Sequence, residues 1–281
     1  MKFEFDANKQ NELAEQFHSL HNAGKTLLLA NAWDCISAKM IEEVGFSAIA
    51  TTSAGMAWAL GYQDGEHIPP KLMVESIGRI ARVVSLPVTA DIEGGYYRDD
   101  LDSFANLISS VIEVGAVGIN LEDSNPKTNK LNDIEHQVKL IEIARKVSIE
   151  MKVNLFINAR VDGFTQQNES LQEKINICIN RAKFYEKAGA NGIFVPFVSE
   201  IESVAELKAY INLPLNILIT NTMEVVELKR LKVNRISVGG KLILSAMNNI
   251  KKISTEIKDT DNWNSLFVDD PNYNKINNYF S

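Results

Sequence analysis

The sequence predicts an α/β fold, specifically a (β/α)8 TIM barrel of parallel strands. Short apolar runs alternate with amphipathic stretches of helical period along most of the 281 residues, and this alternation is typical of parallel βα units. The repeated units reach eight, the number that closes a barrel. No linker divides the chain, so we expect one domain over residues 1–281, with a C-terminal extension over residues 258–281.

The predicted strands are short and apolar, and most of them are followed by polar residues. They cover residues 26–31, 47–51, 87–91, 116–121, 154–159, 191–195, 215–219 and 235–238. The predicted helices carry apolar residues three or four positions apart, which gives each helix a face that packs against the strands. They cover residues 8–23, 35–44, 71–84, 101–114, 134–149, 170–188, 201–210, 223–231 and 242–257. Residues 52–70 are predicted as a long loop, which in a compact domain is usually functional or mobile.

Composition restricts the classes of function. The formal net charge of -7 gives no indication of a nucleic-acid partner or an acidic membrane surface. The two cysteines, Cys35 and Cys178, provide neither a disulfide framework nor zinc-ligand spacing. The first residues lack the apolar core of a signal peptide, and no apolar run is long enough to span a bilayer. We therefore expect a cytoplasmic protein without a membrane partner.

The stretch from Pro87 to Tyr96 begins as a strand and ends as an acidic loop with two glycines. Because side chains alternate along a strand, Thr89, Asp91 and Glu93 share one face. Carboxylates are rarely buried without a partner charge or a metal ion, and Mg²⁺ prefers oxygen ligands. The stretch therefore indicates a site for a hard divalent cation, with an ordinary solvated strand end as the alternative.

Polar side chains also follow the neighbouring predicted strands, at the end of the barrel where active sites lie. Glu122 ends strand four, and Asn158 and Arg160 share a face at the end of strand five. The planar guanidinium of Arg160 suits a substrate carboxylate or phosphonate. After strand two, the backbone N–H groups of Ser53-Ala54-Gly55 are candidate donors to another anionic group.

Together these segments resemble the isocitrate lyase/phosphoenolpyruvate mutase superfamily. The similarity extends over roughly residues 25–250, in the order of the superfamily. The matching segments are Thr52-Ser53-Ala54-Gly55, Leu60-Gly61-Tyr62-Gln63-Asp64-Gly65, Thr89 to Tyr96, Asn120-Leu121-Glu122-Asp123-Ser124, Asn158-Ala159-Arg160 and Ser237-Val238-Gly239-Gly240. The resemblance implies a Mg²⁺-dependent barrel, with Mn²⁺ as the alternative cation. Such a barrel makes or breaks C–C or P–C bonds next to a 2-oxo acid through an enolate.

The resemblance also implies roles for individual residues. The cation would be held, directly or through waters, by Asp91, Glu93 and Glu122. The substrate would be bound by Ser53, Ala54, Gly55, Asn129, Asn158 and Arg160. Catalytic roles would fall to Asp64, Lys127 and Arg160. Asp64 would hydrogen-bond a metal-bound water, and Lys127 would neutralise charge on the departing or migrating group.

Two departures from the superfamily pattern bear on the reaction. Isocitrate and 2-methylisocitrate lyases carry a Lys-x-Cys-Gly-His-type segment after strand four, whose cysteine takes part in acid–base chemistry. Here that position reads Ser124-Asn125-Pro126-Lys127-Thr128-Asn129, which argues against an isocitrate-type lyase. Pro126 to Asn129 resembles instead the gating loop of phosphoenolpyruvate mutase, with a surface turn as the alternative. We predict that residues 124–131 form a lid that closes during turnover.

The sequence leaves three functions open. The leading one is a Mg²⁺-dependent lyase that cleaves a C–C bond in a small 2-oxo acid, such as an oxaloacetate-like compound. The second is P–C chemistry, as a phosphoenolpyruvate mutase or phosphonopyruvate hydrolase, and the third is a non-catalytic dicarboxylate-binding barrel. The resemblance further implies a homo-oligomer, a dimer of dimers that exchanges a C-terminal helix. Apolar residues of the tail are consistent with burial against a neighbouring subunit; they include Trp263, Phe267, Tyr273 and Phe280.

Overall fold

The computed structural model describes residues 5–267 and 272–281. Its parallel strands are β1 (Leu27–Ala32), β2 (Ile49–Thr51), β3 (Val88–Asp91), β4 (Gly118–Glu122), β5 (Phe156–Arg160), β6 (Gly192–Val195), β7 (Leu215–Leu218) and β8 (Arg235–Ser237). Each strand pairs with its neighbours in sequence, and β8 pairs with β1 to close the barrel. The predicted (β/α)8 TIM barrel is therefore confirmed.

Helices alternate with the strands around the outside of the barrel. They are α1 (Ala7–Asn22), α2 (Cys35–Val44), α3 (Ser53–Ala59), α4 (Pro70–Val83), α5 (Leu101–Glu113), α6 (Ile134–Glu150), α7 (Leu171–Ala188), α8 (Ile201–Tyr210), α9 (Val225–Arg230), α10 (Lys241–Thr260) and α11 (Tyr273–Asn278). None of the helices in the described ranges is long and apolar enough to cross a membrane.

Helix α1 covers the end of the barrel at which the strands begin. The ring of Phe17 packs edge-on against Phe156 at the start of β5, with 5.4 Å between the ring centroids. The Gln10 amide donates to the carbonyl oxygens of Ile112 and Ala116, just before β4, at 2.6 and 2.8 Å. Helix α1 therefore packs against the start of the barrel, opposite the end where the strands finish.

The interior of the barrel is polar beneath that cavity. Asn158 of β5 donates to Asn120 of β4 at 2.8 Å, and Arg235 of β8 reaches Asn120 at 3.4 Å. All three side chains are buried. The apolar core lies mainly between the strands and the helices, where Ile119, Ile157 and similar residues are fully buried.

The predicted loop over residues 52–70 was wrong in one part, because it contains α3. The side chain of Thr52 caps this helix by accepting from the Gly55 N–H at 3.4 Å. Ser-Ala-Gly-Met-Ala-Trp-Ala then supplies three alanines and a methionine, which favour helix. The glycine and the serine in this segment concealed the helix in the sequence, since both are typical of loops.

Residues 258–281 were predicted as a C-terminal extension, and this assignment stays a prediction, although α10 continues to Thr260 and so includes the first three of these residues. Residues 268–271 of that segment lie outside the described residues. So do residues 1–4, on which the expected lack of a signal peptide partly depends. In the described part, α11 lies against α2, where Lys275 and Tyr279 both contact the carboxylate of Glu43.

Candidate active site

A cavity of about 880 Å³ opens where the strands end. Ser53 follows β2, Glu93 follows β3, Glu122 ends β4 and Arg160 ends β5, and all four line the cavity. Asp64 reaches the same cavity from the loop after α3. The structure therefore brings together most of the polar residues that the sequence singled out.

Glu93 is held by the loop that follows α3. Its Oε2 accepts the N–H groups of Gly65 and Glu66 at 2.9 and 2.6 Å, and its Oε1 accepts the Tyr96 hydroxyl at 3.0 Å. Glu66 in turn accepts the Tyr96 N–H at 2.8 Å. Glu66, Glu93 and Tyr96 all have φ between 53° and 63°, a left-handed conformation that is unfavourable for such residues and occurs at functional sites. These bonds fix the loop to the end of β3.

Asp91 lies deeper, in the last position of β3. Its Oδ2 faces the Ser53 N–H at 3.4 Å, and its own N–H donates to the Thr51 hydroxyl at 2.9 Å. Its Oδ1 faces the Glu93 N–H at 3.4 Å. The two long contacts leave much of the hydrogen-bonding capacity of the carboxylate free for another partner.

Arg160 bridges two carboxylates across the cavity wall. Its Nη1 lies 2.7 Å from Glu122 Oε2, and its Nε lies 2.7 Å from Asp162 Oδ1. The other oxygen of Asp162 accepts the Ser124 hydroxyl at 2.5 Å. Asp162 was not predicted as a site residue, although its position two residues after Arg160 repeats the spacing of Asp91 and Glu93.

The predicted metal carboxylates repel one another in a buried setting. Burial raises the pKa of Asp91, and burial with the charges of Asp64 and Asp91 raises the pKa of Glu93 to about 7. Burial also raises the pKa of Glu122, while Arg160 opposes that shift. One guanidinium is thus surrounded by more carboxylates than it can neutralise.

This donor set fits a hydrated divalent cation. It offers oxygen atoms only, which Mg²⁺ and Mn²⁺ accept, and its surplus negative charge is relieved by a cation. Within residues 5–267 and 272–281, no three His, Cys, Asp or Glu side chains converge as a ready-made ligand cluster. Because Mg²⁺ usually keeps several waters, binding partly through waters agrees with this arrangement. The roles of Asp91, Glu93 and Glu122 as metal residues stay predictions.

The remaining predicted residues differ in their access to the cavity. Asn129 lines it, whereas Lys127 is exposed and is not part of its wall. Asn158 is buried beneath the floor and bonded to Asn120. Ala54 and Gly55 lie in the first turn of α3, outside the wall, and a Cβ on Gly55 would stand 2.6 Å from the Thr52 methyl group. Gly55 therefore has a packing role, and its role in substrate binding stays a prediction.

The predicted lid over residues 124–131 is a short hairpin in this structure. Its ends, Ser124 and Leu131, form an antiparallel bridge, and the Asn125 N–H donates to the Lys130 carbonyl oxygen at 2.9 Å. Arg98 holds the base of the hairpin by donating to the Ser124 carbonyl oxygen at 2.9 Å. The base is therefore fixed, and Lys127 lies in the exposed turn.

A buried network behind the hairpin was also missed by sequence reasoning. Asp123 accepts Nη1 of Arg181 at 3.0 Å, the Tyr185 hydroxyl at 2.7 Å and the Asp162 N–H at 2.9 Å. Burial raises the pKa of Asp123 to about 6. Because Asp123 directly follows Glu122, this network supports both the end of β4 and the turn that carries Asp162.

The comparisons with known proteins decide the family. The matching family model is described as phosphoenolpyruvate phosphomutase and covers residues 17–258. The chain belongs to this family. An uncharacterised protein of Mycobacterium tuberculosis is 34% identical over 224 residues, which are 79% of this chain and 81% of that protein. The resemblance to the isocitrate lyase/phosphoenolpyruvate mutase superfamily is thus confirmed.

Similar proteins are described both as lyases and as mutases. The crystal structure of a candidate phosphonomutase from Burkholderia cenocepacia is 38% identical, with a TM-score of 0.83, and covers 87% of this chain and 100% of its own. Oxaloacetate decarboxylase of a Marinomonas species is 25% identical over 243 residues, which are 82% of this chain and 80% of that enzyme. The chain is therefore placed among the enzymes of the superfamily and not among non-catalytic barrels.

Proposed function

We propose that the chain is a Mg²⁺-dependent lyase of a small 2-oxo carboxylic acid, which cleaves the C3–C4 bond, one carbon away from the 2-oxo carbon, and leaves the electron pair of that bond on C3 as an enolate. The observation that carries this proposal is the charge of the cavity wall. Five of its side chains are carboxylates, and two, Arg160 and Lys130, are basic. A transferring phosphonyl group needs cationic donors around its oxygens, whereas C–C cleavage of an oxo acid places less charge in this part of the cavity.

The cation would be held by Asp91, with Glu93 and Glu122 bonded to its waters, and it would supply Lewis-acid polarisation of the 2-oxo group. Asp64, at the mouth of the cavity, would orient one of those waters. The loop after α3 fixes Glu93 in place through two backbone N–H groups. This fixed geometry favours one position for the bound acid.

Arg160 would orient the substrate anion. Two of its nitrogens are occupied by Glu122 and Asp162, so the remaining Nη2 edge is left to bind the substrate. The rings of Phe194 and Phe197 lie 5.9 and 6.0 Å from the guanidinium carbon and limit its movement. Ser53, at the cavity wall, would provide a second contact to the carboxylate.

P–C chemistry is the second candidate, and one observation favours it. Asn129 lines the cavity from the hairpin that resembles a gating loop, which is where a donor to phosphonyl oxygens would be needed. The substrates in this case would be phosphoenolpyruvate or phosphonopyruvate. Lys127, which lies outside the wall, would have to move inward for this reaction.

A paired turnover assay tests the proposal. The purified protein is given oxaloacetate or phosphonopyruvate with and without Mg²⁺, and pyruvate, phosphate and phosphoenolpyruvate are measured. Because Mg²⁺ alone decarboxylates oxaloacetate, a Glu122→Gln variant at the same protein and metal concentration provides the baseline. We expect pyruvate from oxaloacetate, or from a related oxo acid, above that baseline. Turnover of phosphonopyruvate with no turnover of oxaloacetate or of any other 2-oxo acid without a phosphonate group contradicts the proposal.

A further inference from the structure

A second large cavity lies at the opposite end of the barrel from the candidate active site. Its volume is about 670 Å³, which falls in the range of roughly 300–1,000 Å³ that is usual for small-molecule sites. Its walls come from the end of α1 and the segment that follows it, from α8, and from the end of α9 and the segment that follows it. We call it the lysine cavity, after its lining residues Lys25, Lys208, Lys229 and Lys232.

The charge of the lysine cavity departs from that of the chain. Four of its ten lining residues are lysines, and none is acidic. Lys and Arg together make up 29 of 281 residues in a chain with a net charge of -7, so ten residues of average composition would include about one. The acidic active-site cavity and the basic lysine cavity thus lie at opposite ends of the barrel.

The four lysines have no acidic partner in the described part of the chain. None of them takes part in an ion pair there. Lys208 donates to the neutral Asn234 side chain at 2.9 Å, and burial lowers the pKa of Lys208. His21 lines the same cavity, and its buried Nε2 has no hydrogen-bond partner among the described residues. The positive charge around this cavity is therefore not neutralised by an acidic side chain of the described residues, although three of the four lysines are exposed to solvent.

Helix dipoles explain only part of this arrangement. Lys208 and Lys229 lie in the last turns of α8 and α9, where a cation is favourable without any ligand. Lys25 lies three residues past the end of α1 and Lys232 two residues past the end of α9, so the helix dipole favours them less, because its effect falls off beyond the last turn. Lys232 also has a φ of 55°, a left-handed conformation in which glycine is usual. A lysine at this position has a backbone cost that a glycine would avoid.

We propose that the lysine cavity binds a small phosphate-bearing anion with more than one phosphate charge, such as a diphosphate group. Lysine binds phosphate as a point charge, and lysines on three separate segments surround the space, so an extended anion contacts more of them than a single phosphate does. A phosphate-bearing ligand also brings the negative charge that the lining lacks.

Calorimetric titration with sodium pyrophosphate and with inorganic phosphate tests this proposal, using the full chain in dilute buffer without added divalent cations. We expect pyrophosphate to bind more tightly than phosphate, and both affinities to fall as NaCl is added. A Lys25→Gln/Lys232→Gly variant should bind pyrophosphate at least about tenfold more weakly. Glycine at position 232 removes the backbone cost of the left-handed φ, so the melting temperature of the double variant should not fall. A loss of binding with an unchanged melting temperature is then not due to misfolding.

The matched control is Lys183→Gln/Lys187→Gln, which removes the same charge from exposed, unpaired lysines of α7. This control should bind pyrophosphate within about twofold of the unmodified protein. The proposal is overturned if pyrophosphate does not bind or if both double variants lose affinity equally, since that indicates a general charge effect. It is also overturned if neither variant loses affinity, since the anion then binds elsewhere.

Discussion

Replacing Arg160 with lysine should destabilise the protein and disable the site together. The guanidinium contacts Glu122 and Asp162 at 2.7 Å each, and its side chain is only 20% exposed. An ammonium group is a single point charge and reaches one of these acids, so the other is left buried without its partner. A hydrogen bond to a charged group contributes about 1.5–3 kcal/mol. We therefore expect Arg160→Lys to lower the free energy of unfolding by about 2 kcal/mol.

Turnover should fall much further, by about 100-fold or more, because the edge that orients the substrate anion is lost as well. Urea denaturation followed by circular dichroism gives the first quantity, and steady-state kinetics on the substrate that the unmodified protein turns over gives the second. Arg98→Lys is the matched control. Arg98 lies at the rim, where it binds the Ser124 carbonyl oxygen and Asn132 at 2.9 Å. If Arg160→Lys loses no more activity than Arg98→Lys, the role given to the two carboxylate contacts is wrong.

Four further results are expected. Asp91→Ala should abolish Mg²⁺-dependent turnover and leave the circular dichroism spectrum unchanged; unchanged turnover would remove the basis for the metal site. Lys127→Ala should lower kcat more than it lowers the affinity for Mg²⁺. Asn129→Ala should lower turnover slightly if the reaction is C–C cleavage and strongly if it is P–C chemistry. If both variants turn over substrate like the unmodified protein, the hairpin is only a surface turn. Burial lowers the pKa of His21 to about 3, so below pH 6.5 the unfolded state binds a proton that the folded state does not. Between pH 6.5 and about pH 3, the free energy of unfolding should fall by about 1.4 kcal/mol for each pH unit of acidification, relative to that of His21→Phe. Urea denaturation measures both free energies, and the same pH dependence in the two proteins would contradict this. Light scattering should show an oligomer if residues 258–281 bind a neighbouring subunit, and a clean monomer at micromolar concentration would rule that out.

The barrel and the mouth of the site follow from local patterns in the sequence. The alternation of strands and helices identified every strand of the barrel, because each unit carries its own periodicity. The polar residues at the ends of β3, β4 and β5 indicated the site, although Glu93 lies past the end of β3 in a left-handed conformation and not on the extended strand that the spacing predicted. Arg160, at the end of β5, contacts Glu122 of the neighbouring strand. These are contacts between neighbouring strands in register, such as Glu122 with Arg160, so knowing the strands is enough to bring the residues together.

Contacts between distant elements could not be predicted in this way. Arg181 and Tyr185 lie 58 and 62 residues after Asp123, and their side chains meet it behind the hairpin. On α7 alone they have the spacing of an ordinary helical face, four residues apart. Nothing in the local pattern distinguishes a tyrosine that packs in the core from one that also donates to a buried carboxylate.

The interior of the barrel shows why an alternating pattern is ambiguous here. In an open antiparallel sheet, polar residues on one face indicate solvent. Both faces of a strand are buried in a closed barrel, and the polar face of β4, β5 and β8 instead points inward. Asn120, Asn158 and Arg235 occupy that interior, and Nε and Nη1 of Arg235 have no partner among the described residues. A buried guanidinium without full hydrogen bonding is costly, so ordered water is expected beside Arg235. The polar face that identified the site at the strand ends therefore continues below it as a polar interior.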